Sequence, residues 1–402
     1  MNITKQFLCR SFQTVLKCAI PVLPYRDPKI LEHIEDIPYL LKEKHIDHVL
    51  LVTDGFLHIS GKLEPLKKRL SDAGIQYTIY DEVVPNPTVW NVEMARERYL
   101  ENGCQGLIAL GGGSAIDCAK AVGARIARPR KPISKMKGIL KILLPIPYLI
   151  AIPTTAGTGS ETTLATVITD DQNDHKFPIN DFPLIPRVAV LDPEMTRSLP
   201  PHMTATTGMD ALTHAVEAYI GRSTVKDTRE KALESARLIA ENLEKAYQDG
   251  NNMTARSNML KAAYLAGGAF SKSYVGYCHA VAHSLGGKYH IPHGLANAVL
   301  LPYILEAYGD RINQKGKELA IAMHLADTQT DAAEAKKCLI AEIRRMNAAM
   351  GIPETLPGIR REDISRLAAF ADKEANPLYP VPVLMDRMEL ERFYYDVMEE
   401  SK

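Results

Sequence analysis

Through the first half of the chain, short apolar runs alternate with stretches whose apolar positions recur every three to four residues. Residues 47–54 (DHVLLVTD), 76–81 (QYTIYD), 106–110 (GLIAL), 148–152 (YLIAI) and 187–191 (RVAVL) read as strands. Runs this short and this apolar suit strands covered on both faces, as in a parallel sheet. Between them, 62–73, 89–102 and 115–127 carry helical periodicity, and Gly103 closes the second of these. The β-α-β rhythm predicts a doubly wound parallel sheet. From about Asp192 the pattern changes. DPEMTRSLPP is a proline-bearing connection, and beyond it Ala, Leu, Glu and Lys recur at helical spacing over 203–220, 226–249, 255–270 and 315–350. The expected division is an α/β domain over residues 1–198 and an all-helical domain over 199–402.

Composition narrows the class. The 402 residues are 46% hydrophobic and 24% charged, which gives ample core for two globular domains. Forty-eight basic side chains balance 48 acidic ones, which argues against nucleic-acid binding driven by bulk charge. No run is long and apolar enough to span a membrane. The N-terminal MNITKQFLCRSFQTVLKCAIPVL is mildly amphipathic, without the continuous apolar core and cleavage site of a signal peptide. The six cysteines form no C-x-x-C pair, so free thiols in a reducing, cytoplasmic setting are expected. The basic stretch from Arg125 to Lys141 reads as a solvated loop and helix face.

Candidate chemistry starts with Asp210 and His214 in GMDALTHAVEAY. They are four residues apart, so on a helix they share a face. In CHAVAHSLGGKYHIPHG, His279 and His283 repeat that spacing, and His293 follows Pro292. One carboxylate with imidazoles is a ligand set for a borderline divalent ion such as Fe(II) or Zn(II), not for Mg or Ca. Asp210, His214, His279 and His293 are the expected metal site.

Two loops look suited to phosphate. GGGSAIDCAK (Gly111–Lys120) joins a strand to a helix, where glycines permit close approach or positive φ and the helix N-terminus offers free N–H groups. It is neither G-x-G-x-x-G nor a Walker loop. Ser114 is placed as an N-cap or phosphate donor. PTTAGTGSET (Pro153–Thr162) concentrates Thr154, Thr155 and Thr158 after another strand. Asp54 ends the first clear strand, where a carboxylate can hold a ribose 2′-OH and repel a 2′-phosphate.

Taken together, VTDG at 52–55, PNPT at 85–88, GGGSAIDCAK, AIPTTAGTGSE, GMDALTHAVEAY, HAVAHSLGG and PHGLANAVLLP resemble the iron-containing (group III) alcohol dehydrogenase family over nearly the whole chain. The resemblance implies an N-terminal doubly wound nucleotide-binding domain and a C-terminal helical metal-binding domain, a dehydroquinate synthase-like layout. It implies a metal-dependent oxidoreductase that interconverts a small primary alcohol or diol and its aldehyde, using NAD and Fe(II), with Zn(II) as a substitute, in a dimer or larger homo-oligomer. The alternatives are a dehydroquinate synthase-like lyase and a glycerol-type polyol dehydrogenase. By motif, the metal ligands are Asp210, His214, His279 and His293, and His283 stands near the reacting oxygen as a proton relay. Asp54, Asn86, Gly112, Gly113, Ser114, Ala115, Ile116, Asp117, Thr154, Thr155, Thr158, Val167 and Lys176 match cofactor-contacting positions. Ala165, Phe270 and Tyr274 are the candidate substrate contacts. The segment before His279 reads SKSYVGYC, where Tyr274 and Tyr277 are bulkier than the family's usual small residues, and Ser284 replaces a common proline.

Overall fold

The structure, a computed structural model, describes residues 1–171 and 175–399. It forms two compact units, one of residues 24–199 and one of residues 1–23 with 200–402.

The first unit is built on a six-stranded sheet. Its strands are β1 (Lys29–Leu31), β2 (His48–Val52), β3 (Gln76–Tyr80), β4 (Gly106–Gly111), β6 (Tyr148–Pro153) and β9 (Val188–Val190), in the order β1-β9-β6-β4-β2-β3. Every pairing in it is parallel. Alternate residues serve opposite faces. Leu50, Val52, Leu107 and Ala109 enter one buried cluster, and Val49, Leu51, Ile108 and Leu110 enter the other. The helices α2 (Ile37–Glu43), α3 (Gly55–Ile59), α4 (Glu64–Asp72), α5 (Val89–Glu101) and α6 (Gly113–Ala127) connect the strands. The chain moves one way from β2 to β3 and the other way from β2 to β4. The carboxyl ends of β2 and β4 therefore flank the reversal point where ligands bind in open α/β sheets.

A second, three-stranded sheet was not legible in the pattern. β5 (Gly138–Ile139), β7 (Ala165–Asp170) and β8 (His175–Asn180) pair in the order β5-β8-β7. β5 has two residues, and β8 contains Pro178, so neither carries a strand-like apolar run. The basic stretch also differs from expectation at its start. Arg125 is buried, pairs with Glu93 at 2.5 Å, and donates to the carbonyls of Arg128, Pro129 and Lys131.

The second unit is helical: α1 (Ile3–Ala19), α7 (Pro201–Ile220), α8 (Lys226–Gln248), α9 (Met253–Ser273), α10 (Tyr277–Tyr289), α11 (His293–Ala307), α12 (Asn313–Ala322), α13 (Ala332–Ala349), α14 (Arg361–Ala375) and α15 (Arg387–Val397). Two expectations need correction. Residues 1–23 belong here and not to the α/β unit. Cys9, Gln13 and Ile20 of α1 and its end are buried, and Arg10 and Gln13 donate to the carbonyls of Val381, Pro382, Pro377 and Tyr379. Those partners lie more than 360 residues away, beyond the reach of local periodicity. The single helix expected over 315–350 is two. Asp327 accepts from the amides of Gln329 and Thr330 in a turn, and Asp331 then caps α13 through the amides of Ala333 and Glu334. Short acidic side chains that bond nearby amides favour turns and caps over helix interiors.

The helices of this unit approach closely at glycines. A Cβ added to Gly294, the second residue of α11, would lie 2.4 Å from the backbone oxygen of Thr206 on α7. A main-chain atom cannot rotate away as a side chain can. Gly294→Ala is therefore expected to lower stability by about 1–3 kcal/mol, as overpacking does, read as an earlier thermal unfolding midpoint. A midpoint equal to wild type would show that α7 and α11 separate without cost.

Candidate metal and nucleotide sites

Asp210 and His214 stand on α7, His279 on α10, and His293 is the first residue of α11. Three helices thus deliver four donors, whose ligand atoms all lie within 4.8 Å of one another. Asp210, His214 and His279 are buried, and His293 is partly exposed. Asp210 Oδ1 is 3.5 Å from His293 Nε2. The His214 and His279 rings sit 4.4 Å apart between centroids.

The protonation of His279 shows what this cluster suits. Its Nδ1 faces Glu217 Oε2 at 2.6 Å, so that nitrogen carries the proton and donates it to the carboxylate. Its Nε2 is buried and has no hydrogen-bond partner among the described residues. Burial first, then the neighbouring imidazoles, hold the ring's pKa well below the ordinary histidine value, so it stays neutral. A buried lone pair aimed at a carboxylate and two further imidazoles fits a divalent transition ion. The carboxylate–histidine contact is the arrangement that fixes ring orientation behind metal ligands.

Two supporting residues escaped the sequence reading. Glu217 also accepts from the amides of Gly276 and Cys278, both at 2.8 Å. Burial pushes its carboxyl up to about 7 against those donors. Asn297, fully buried on α11, donates through Nδ2 to Asp210 Oδ1 at 2.7 Å and lies 3.1 Å from His293 Nε2. Both signals were present: a glutamate three residues after His214 on an apolar helix, and an asparagine four after His293.

His283 is one turn from His279, with its ring stacked on His293 at 5.0 Å. Its Nδ1 meets Glu374 Oε1 at 2.6 Å, and Tyr379 donates to the same oxygen at 2.7 Å. Burial would raise the Glu374 carboxyl, but the His283 ring and the Tyr379 hydroxyl outweigh it and hold it below its usual value. Phe270 stacks on His214 at 4.2 Å and 13°. Tyr274 ends α9 at φ +63°, a region that L side chains rarely adopt. Tyr277 turns away from this cluster. It is fully buried and bonds through its hydroxyl to Asn376 Oδ1 and to the backbone of Met385.

In the α/β unit, Gly112 caps α6, so Ser114 is the second helical residue and not the N-cap. Its Oγ accepts from the Asn86 amide at 3.3 Å. Gly111, Gly112 and Gly113 are not at positive φ. Two of them are needed for space: a Cβ on Gly111 would lie 2.6 Å from Ala115 Cβ, and one on Gly113 would lie 2.9 Å from Thr158 Cγ2. Gly113 thus marks where the second loop packs on the first. Asp54 Oδ1 caps α3 through the Leu57 amide at 2.9 Å, and Oδ2 lies beside Gly111. Lys176 donates to Asn86 Oδ1 at 2.8 Å. Thr154 is buried, with its amide on the Gly111 carbonyl at 3.0 Å. Thr155 and Thr158 are partly exposed, and Val167 is exposed.

Three expected cofactor contacts change character. Ile116 and Ala115 are buried, Ile116 within the core, and their amides bond the Gly112 carbonyl. Neither side chain is open to a ligand. Asp117 uses both oxygens internally, on Ser160 Oγ at 2.5 Å and the Val167 amide at 2.9 Å. The first-turn amides of Gly113 and Ser114, with no carbonyl four back within the helix, are the donors left for an anion. Ala165 belongs to this unit, on β7, and its carbonyl accepts from Lys120.

Comparison with known proteins identifies the family. A family model described as iron-containing alcohol dehydrogenase matches residues 31–193, and one described as the C-terminal part of the Fe-containing alcohol dehydrogenase family matches residues 204–398. Alcohol dehydrogenase 4 of Saccharomyces cerevisiae (strain YJM789) is 39% identical over 359 residues, covering 89% of this chain and 92% of its own. The NAD-dependent methanol dehydrogenase of Bacillus methanolicus is 35% identical over 354 residues, 86% of this chain and 92% of its own. A crystal structure of 1,3-propanediol oxidoreductase superposes with a TM-score of 0.89 at 34% identity, covering 93% of this chain and 99% of that one. The chain belongs to the iron-containing alcohol dehydrogenase family. It is an oxidoreductase of alcohols, and the lyase alternative falls away.

Glu217 gives a test of the metal cluster. An amide at this position can still accept one N–H but loses the charge that serves three. Glu217→Gln is expected to weaken metal retention about 10–100-fold, measured by competition with a chelator. Unchanged retention would show that His279 is oriented by packing alone.

Proposed function

We propose that the enzyme interconverts a small primary alcohol or diol and its aldehyde, with NAD(H) as hydride carrier and Fe(II) held by Asp210, His214, His279 and His293. Zn(II) can substitute on the same ligands. The observation that carries the reading is the four-donor cluster with the buried, unprotonated His279 Nε2. Bound there, the ion would polarise the substrate oxygen, and the nicotinamide would take up or return the hydride. The chain's own contribution is alignment and proton traffic. Glu217 and Asn297 orient the donors. His283, held at Nδ1 by Glu374, would relay the proton that the alcohol loses. Phe270, stacked on His214, gives that side an apolar wall suited to a short carbon chain. The Gly113 and Ser114 amides at the start of α6 take the pyrophosphate. No helix among the described residues is long and apolar enough to cross a membrane. A cytoplasmic homo-oligomer, a dimer or larger, completes the reading.

Asp54 sets the expected cofactor choice. It lies at the carboxyl end of β2, beside Gly111 and at the reversal point of the sheet. A carboxylate there repels a 2′-phosphate, and partial burial strengthens the repulsion. The wild type is expected to prefer NADH over NADPH, and Asp54→Gly to relax that preference. Equal kcat/KM for both cofactors in the wild type would remove Asp54 from this role.

His283 differs from the four ligands in the outcome expected on its removal. His283→Ala should retain metal yet lose about 10²–10⁴ in kcat, the usual contribution of a positioned acid–base group. The pH profile of kcat should lose a limb. Metal analysis and a pH series on one preparation decide it: metal lost with an unaltered profile would make His283 a structural support for the cluster.

A further inference from the structure

The connection between α14 and α15, residues 376–386, has no helix or strand of its own. Pro377, Pro380 and Pro382 remove three backbone N–H groups from it, so its carbonyls outnumber its donors. Tyr379 and Val381 are buried, where a carbonyl left without a partner is costly. The segment is tied at Pro380 by the Arg222 amide, and at Met385 by Tyr277 and Asn376. Between and beside those ties, four of its carbonyls meet side chains of α1. The Gln13 amide donates to the carbonyls of Tyr379 at 2.7 Å and Pro377 at 3.2 Å. The Arg10 guanidinium donates to those of Val381 at 2.7 Å and Pro382 at 2.9 Å, and to Gln13 Oε1 at 2.8 Å. Burial lowers the guanidinium to about 10, so it keeps its charge at neutral pH. Gln13 is 4% exposed, and an apolar side chain would fill such a helix position without needing partners. The held segment leads to the metal cluster. The Tyr379 hydroxyl donates at 2.7 Å to the Glu374 oxygen that lies 2.6 Å from His283 Nδ1. α1 itself precedes the part of the chain that the family models match, which begins at residue 31.

We propose that Arg10 and Gln13 are positioning residues for the proton relay: α1 fixes the backbone at Tyr379, so that the Tyr379 hydroxyl holds Glu374 and Glu374 holds His283. Neither side chain meets the substrate. They act through a chain of contacts in which each member is set by the one before it, from Gln13 to the Tyr379 backbone, to its hydroxyl, to Glu374 and to the His283 ring. This rests on the relay reading of His283 above and adds to it the element that aligns the ring.

The test compares the metal-loaded wild type with Gln13→Leu, Arg10→Met, Arg10→Lys, Tyr379→Phe and the double variant of Gln13→Leu with Tyr379→Phe. Metal content, kcat with a short primary alcohol and KM for NAD are measured on each, and hydrogen exchange is followed at the amides of 378–385. Gln13→Leu keeps the buried bulk and removes both donors. It should lower kcat by about ten-fold, short of the roughly 10²-fold that a 1 Å displacement costs. Metal content and KM for NAD should stay at wild type, and exchange in 378–385 should quicken. Lysine keeps a donor on a similar stem, so Arg10→Lys should recover part of the kcat that Arg10→Met loses. On the Tyr379→Phe background Gln13→Leu should cost little more, because residues that act through one contact are not additive. If Gln13→Leu does not fold, the Arg10 pair carries the same comparison. Folded, metal-loaded variants with wild-type kcat overturn the proposal. So does a full further loss from Gln13→Leu on the Tyr379→Phe background, which would mean that α1 does not act through that hydroxyl. His283→Ala at wild-type kcat overturns the relay reading instead, and the exchange measurement then judges the hold of α1 on 378–385 alone.

Discussion

A carboxylate buried among helices must find donors or be neutralised, and Glu217 shows how that requirement organises the helical unit. It lies on α7, one turn beyond His214, and accepts from two amides at the start of α10 and from the His279 ring. Leaving such a group unpartnered costs several kcal/mol. The register of α10 against α7 is therefore tied to one side chain. A Cβ on Gly276 would fall 2.6 Å from Glu217 Oε1, so glycine is what lets the chain come near enough. The same contact turns His279 Nε2 toward Asp210 and His214. Chain geometry and the geometry of the four-donor cluster are here a single constraint.

The α/β unit meets a comparable demand with steric means. Parallel strands place both hydroxyl- and glycine-rich loops at one edge of the sheet. The loops then pack on each other at Gly113, where a methyl group would collide with Thr158. Behind that contact, charged side chains of α6 are spent on the protein's own backbone. Polar residues in this motif are thus of two kinds, those left partly exposed and those bonded within the protein.

The same distinction explains several differences between sequence and structure. Asp117 and Lys120 belong to one motif, yet their partners are 40 to 50 residues away, and only the fold shows that both face inward. Tyr277 sits two residues before a metal-ligand candidate, but the helix turns it toward Asn376 and Met385. α1 was expected in the α/β domain because its anchoring contacts are distant in sequence. Gln13 and Arg10 are satisfied by carbonyls near the other end of the chain, which no local pattern can announce.

What the sequence determined by itself was most of what has a short period. Apolar runs fixed the main strands, three-to-four spacing fixed the long helices, and i, i+4 pairs identified Asp210 with His214 and His279 with His283. These follow from backbone geometry, which repeats every two or 3.6 residues and so leaves its mark within a few positions. Tertiary structure alone decided which donors converge, which ring nitrogen of His279 is left free, and that Glu217, Asn297 and Glu374 stand behind the histidines. Those choices depend on burial and on hydrogen bonds between segments up to 91 residues apart. A side chain's chemistry is set by what surrounds it, and neighbours in space carry no signature in the order of the chain.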